Sequence, residues 1–242
     1  MIAALLTYAG ALAIVELSHL AARPGRALRF ARPREEALIA IVAVCVQVAV
    51  VTLAFATLAP RASASAARYD LERLTAQLVL VILATMPLIV VLVARRQAPA
   101  TVLLGVDRAR MQLVASGAFA LLAVTAAGKV GALTSLGVAE LLRLMAFLSV
   151  GMAEELLDRG LLQTRLVAWL GVGAGWPLAA AIFAAAHVPQ DVLVQRSTSV
   201  DLVIMLVQQL VAGLVFGWIV LRLGAVLPAA ALHGIADWAG WL

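Results

Sequence analysis

The sequence predicts an all-α, polytopic membrane protein with about eight transmembrane helices, and three observations carry that expectation. Hydrophobic residues make up 64% of the 242 positions and charged residues only 13%; a soluble domain is nearer half apolar and a quarter charged. The apolar residues are gathered into uncharged runs, such as 37–58 and 74–94, which exceed the roughly 20 residues a spanning helix needs. The runs also lack the strict alternation of a barrel strand, and closed barrels are the only other way to satisfy a backbone in lipid. A soluble enzyme, a nucleic-acid-binding domain and a secreted disulfide scaffold are thereby excluded.

In chain order the expected spans are 1–22, 36–59, 74–94, 111–128, 137–157, 176–188, 202–221 and 225–242. The first lacks a cationic n-region and a small-residue cleavage site, so it reads as a span that stays in the protein. The fourth and fifth flank a glycine-rich stretch, Gly128 to Gly137, which is the expected boundary between N-terminal helices (1–136) and C-terminal helices (137–242). The sixth is short, and Pro189 is expected to end it. Between the spans lie most of the 18 cations, 17 of them arginine. Odd-numbered loops hold twelve and even-numbered loops and their flanks six. By the positive-inside rule the odd loops are cytoplasmic. The net charge of +5 is therefore an orientation signal and no sign of a nucleic-acid partner. Cys45 is the only cysteine and reads as a small buried hydrophobe.

An ionisable side chain at the centre of a spanning helix costs about 2.5–3.5 kcal/mol, so those inside apolar runs carry the functional signal. Glu154, Glu155, Asp158 and Arg159 fall within six residues of one run. Two placements are open: mid-helix, if the helix continues to Leu170, or the cytoplasmic end of a span. Glu155 and Arg159 are four apart and can pair, while Glu154 is turned about 100° away. His187 follows Phe183 by four and stands at the end of the short sixth span. It faces either a polar cavity or the headgroups. Asp191, four residues after His187, is either a supporting partner of that histidine or a residue of a solvated loop, and the loop is preferred. His233 and Asp237, again four apart, lie in the last run, as functional groups or as a structural polar pair between helices. Glu16 and His19, near the end of the first run, read as an interfacial pair. The five tryptophans read as interface anchors, and Gly213 and Gly217 as a helix-packing step.

Two carboxylates and two imidazoles at membrane depth are the inventory of a water-activating site. The motifs Glu154-Glu155-x-x-x-Arg159, Phe183-x-x-x-His187 and His233-x-x-x-Asp237 together resemble those of the CPBP intramembrane proteases, in order, spacing and helical setting. That group includes the CAAX prenyl endopeptidases of the Rce type and the Abi-like bacteriocin-processing and self-immunity proteins. The resemblance covers about residues 144–242. It implies an intramembrane endopeptidase in which Glu154 and His187 activate a water, His233 and Asp237 stabilise the oxyanion, and Glu155, Arg159 and Phe183 support them. Many members carry asparagine at the position of Asp237, and an ionised carboxylate cannot donate a hydrogen bond. Either Asp237 is protonated, or it accepts a hydrogen bond from His233 and His233 is the donor; the second is preferred. No cofactor is required on this reading, although the set Glu154, His187, His233 and Asp237 would also suit zinc. The implied partners are the lipid bilayer and a peptide or protein with a hydrophobic or lipidated segment. The Ala-, Val-, Leu- and Arg-rich composition suggests a bacterial inner membrane. The alternative function is a non-catalytic binding or immunity protein of the same fold.

Overall fold

The computed structural model describes residues 2–17, 28–62, 70–105, 109–193 and 197–240. Among them every regular element is helical: α1 (Ile2–Leu17), α2 (Pro33–Ala62), α3 (Leu71–Ala94), α4 (Ala109–Ala126), α5 (Val138–Glu155), α6 (Thr164–Leu170), α7 (Val172–Leu193), α8 (Ser199–Leu223) and α9 (Leu227–Ala239). A π-helical segment, Leu156–Gln163, joins α5 to α6 without a break. Local chemistry explains most of the ends. Pro33 opens α2 with Glu35 and Glu36 in its first turn, where a missing N–H costs nothing and negative charge meets the helix dipole. Thr198 and Asp201 cap α8 reciprocally. Gly171 and Gly224 follow α6 and α8 with φ of 77° and 64°, a left-handed backbone that other residues enter at a cost.

Among the described residues five helices are long and apolar enough to cross a membrane: α2, α3, α4, α7 and α8. This makes the chain an integral, multi-pass membrane protein. The other expected spans are helical but fall short of that standard. The first is 16 residues and the last 13, and α5 carries Glu140, Arg143, Glu154 and Glu155. Large apolar side chains such as Leu53, Ile82, Val93, Val138 and Val203 point outward, as expected where the surrounding solvent is hydrocarbon.

Several expectations need correcting. Cys45 of α2 is exposed, not buried. The sixth span does not stop at Pro189; α7 runs on to Leu193. Proline removes only its own N–H bond, and so close to the last turn that loss is small. Asp191 consequently lies on the helix and is buried, not in a solvated loop. Glu16 binds Arg222 and the indole of Trp218 across α8; His19 lies outside the described residues. Trp238 is buried and donates to the carbonyl of Glu140, so it pins α9 to α5 and does not anchor an interface.

The helical rod from Val138 to Leu170 forms the axis of the fold. Its central segment, Leu156–Gln163, is buried on every side because α2, α3, α7 and α8 all pack around it. Glycines set two of the close crossings. A Cβ on Gly151 would meet the Ala230 carbonyl oxygen at 2.8 Å, and one on Gly234 the Phe147 carbonyl oxygen at 2.7 Å, so α5 and α9 touch backbone to backbone. Gly213 brings α8 similarly close to Ala180 of α7. At one end of the bundle the odd-numbered loops meet. Arg95 binds Glu35 and Glu36, and Arg165 reaches the Thr101 carbonyl and the Gln97 side chain.

Candidate active site

The glutamate pair sits midway along the rod, at the junction between α5 and the π segment. About 16 residues separate it from each end, or some 24 Å at 1.5 Å per residue, so the mid-helix placement holds and the helix-end placement does not. π-helical insertions are rare and recur at functional sites. Here the wider winding follows Glu155 directly and carries Asp158 and Arg159, both buried.

Glu155 is 0% exposed. Its Oε1 lies 3.2 Å from Nη1 of Arg159 and accepts a hydrogen bond from Nδ1 of His233 at 3.0 Å. The acidic residue that the motif pairs with Arg159 therefore also orients the histidine of α9. Because an ionised carboxylate only accepts, the bond places a proton on Nδ1. The other ring nitrogen, Nε2, faces Glu154 at 3.8 Å and Asp237 at 3.5 Å. Phe216 of α8 stacks on the His233 ring at 5.1 Å. The guanidinium of Arg159 lies between two aromatic faces, 4.0 Å from the centre of Phe183 and 5.6 Å from that of Phe216. Such cation–π contacts are strongest where water is excluded.

Phe183 has a second task. Its carbonyl takes the Nδ1 proton of His187 at 2.8 Å, and its ring meets that imidazole edge to face at 4.7 Å. With Nδ1 committed as donor, Nε2 of His187 is left as the basic nitrogen. His187, Glu154 and Asp158 line one small cleft of about 50 Å³, closed on its far side by Gln47, Val51 and Thr52 of α2. Glu154 also lines a larger groove of about 260 Å³ between α2, α3 and α5. It is the one ionisable residue common to the two.

All seven expected residues thus fall around the middle of the bundle, in two groups. Glu154, Phe183 and His187 line the cleft. Glu155, Arg159, His233 and Asp237 form a chain behind it, and Asp237, at the outer end, is 48% exposed. Among the described residues no three His, Cys, Asp or Glu side chains converge on one point where a metal ion would sit.

The residues that sequence reasoning missed are Gln47 on α2, the ring of Phe216, and any role for Asp158. A search confined to ionisable groups passes over amides. Yet Gln47 interrupts an uncharged run of 24 residues, 37–60, and that was the available signal.

Residues 136–239 match the family model described as type II CAAX prenyl endopeptidase, Rce1-like. This segment, 104 of the 242 residues, is similar to the Rce1-like family. No curated protein and no solved structure matches the chain. The Rce1-like segment begins just ahead of α5 and ends with α9, so it contains every motif residue. The family is one of proteases. Gln47, Val51 and Thr52, which complete the cleft, come from outside the Rce1-like segment.

Proposed function

We propose that the protein is a glutamate-dependent intramembrane endopeptidase. The supporting observation is the position of Glu154, which lies between a polar cleft shared with His187 and a groove that opens among the apolar helices. Glu154 takes a proton from a water held against Nε2 of His187, and the resulting hydroxide attacks the scissile carbonyl. Nε2 of His233 donates to the oxyanion that develops, while Asp237 and Glu155 hold that ring from either side. The proton then passes from Glu154 to the leaving amine. Arg159, fixed by Glu155 and the two phenylalanines, keeps the carboxylate chain neutralised. No step requires a metal. The substrate is a membrane-associated peptide or protein with a hydrophobic or lipidated C-terminal segment, and the setting is a bacterial inner membrane.

The test is cleavage of internally quenched peptides, with plain apolar and with prenylated C-termini, by the purified chain in lipid nanodiscs. Glu154→Gln and His187→Ala are expected to lose at least 1,000-fold in kcat/KM, on the order of what removing a general base costs, with thermal stability retained. Chelator should change nothing. A Glu154→Gln chain that cleaves at the wild-type rate would end the proposal. Peptide bound with no fragment ever released would favour the binding or immunity reading.

A further inference from the structure

The groove beside Glu154 is lined on α5 from Ala146 to Glu154, eight residues or about 12 Å of helix. It runs from the glutamate toward the α2–α3 end of the bundle, because it also takes in Phe55 near the end of α2 and Gln77 near the start of α3. Its volume is about 260 Å³. A helix holds each peptide carbonyl in its own backbone hydrogen bonds, so a segment offering a scissile bond to Glu154 is unwound there. At about 3.3 Å per residue three to four extended residues span the length of the groove.

An extended chain at this depth brings a difficulty with it. Each of its residues carries an N–H and a C=O that lipid cannot satisfy, and each group left unpaired costs several kcal/mol. The groove walls are apolar except for Glu154 and three amides, Gln47 on α2, Gln77 on α3 and Gln190 on α7. Gln47 is 8% exposed, yet among the described residues none of the three side chains has a hydrogen-bond partner. Elsewhere in this chain the buried amides are spent internally: Gln163 donates to the Gly217 carbonyl and Gln112 to that of Gly105. A primary amide offers two donors and an acceptor, which is the complement of a peptide backbone. Gln47 and Gln190 line both the groove and the catalytic cleft, and Gln77 lines the groove alone.

We propose that this groove binds three to four extended, apolar residues of the substrate beside the scissile bond, with the amides of Gln47, Gln77 and Gln190 pairing with their backbone. The inference rests on the endopeptidase reading and deepens it. The N-terminal helices α2 and α3 then supply one wall of the binding site.

The test uses the Glu154→Gln chain in bicelles and a fluorophore-labelled 20-residue Leu/Ala peptide, so that binding is read without turnover. Gln47→Met and Gln77→Met, which keep length and remove the amide, should each weaken binding about 5-fold, the worth of one net hydrogen bond. Replacing single peptide amides by esters should weaken binding to the parent by a similar factor at one or more positions. At the position facing Gln47, the ester should add nothing in the Gln47→Met chain. Methionine is favourable in a lipid-facing helix, and matched thermal unfolding of the two variants excludes misfolding as the cause. Binding indifferent to both glutamine changes, or ester effects that add in full, would overturn the proposal. Cleavage by the wild-type chain of the same peptide separates the two ideas. Cleavage with glutamine-indifferent binding refutes the groove assignment alone. Glutamine-dependent binding without cleavage refutes the endopeptidase reading alone.

Discussion

Replacing Gly234 by alanine should disable the site without touching a functional group. The new Cβ would stand 2.7 Å from the Phe147 carbonyl oxygen, 2.8 Å from Cα of Leu148 and 3.0 Å from its nitrogen. All three are backbone atoms, so no side chain can swing aside. Relief to the 3.4 Å of ordinary contact requires α9 to move off α5 by about 0.7 Å. His233 is the neighbouring residue, and its 3.0 Å bond to Glu155 would stretch beyond hydrogen-bonding range. Misplacement of about 1 Å costs on the order of 100-fold in rate, so kcat/KM should fall by roughly that factor. Overpacking of this kind costs about 1–3 kcal/mol, offset by about 1 kcal/mol because alanine is the better helix former. Thermal stability should therefore drop only modestly. The control is Gly117→Ala on α4, where a Cβ meets nothing within 4 Å; stability should hold or rise slightly, with activity unchanged. The assay is cleavage of a quenched peptide in nanodiscs beside thermal unfolding of each variant. A Gly234→Ala chain with the wild-type kcat/KM would refute the claim that backbone contact between α5 and α9 sets the position of His233.

Other changes read different parts of the same chain of contacts. Glu155→Gln leaves the guanidinium of Arg159 buried without its counter-charge and should cost about 3–5 kcal/mol; adding Arg159→Met should recover part of the loss, as measured by chemical unfolding in detergent. Asp237→Asn should keep substantial peptidase activity, because an amide at that position can still hold or replace the His233 donor, whereas His233→Ala should lose nearly all of it. An inactive but folded Asn variant would count against His233 as the oxyanion donor.

The grouping of Glu154, His187, His233 and Asp237 was legible because charge inside an apolar run is expensive, and the structure brings the four to the middle of the bundle. It worked less well where the cost was spread or geometric. The π segment has no sequence signature: Leu156–Gln163 contains ordinary helix formers, and its winding is set by the helices packed around it. Pro189 was given too much weight, since near a helix end one missing N–H breaks little. Gly151 and Gly234 carried the backbone contact between α5 and α9 but resembled any other small residue in a spanning helix. The bond from His233 to Glu155 joins residues 78 apart in sequence, which no local pattern reveals.

The division between N- and C-terminal helices is plainer in the sequence than in the packing. A single apolar core takes in Ala11 and Val15 of α1, Ala40 and Val44 of α2 and Phe119 of α4, together with Leu161 of the π segment, Phe183 of α7 and Leu232 of α9. Helix α2 packs against the rod and against α7, and from there it closes the cleft over His187 with Gln47, Val51 and Thr52. On the proposed reading the motif residues supply reactive groups and the means to orient them, but they do not by themselves enclose a space. Enclosure is what removes bulk water and strengthens each electrostatic contact inside the site. The first helices of this chain provide that wall, so substitutions on α2 should alter which peptide is cut, while those in the motifs should alter whether any is.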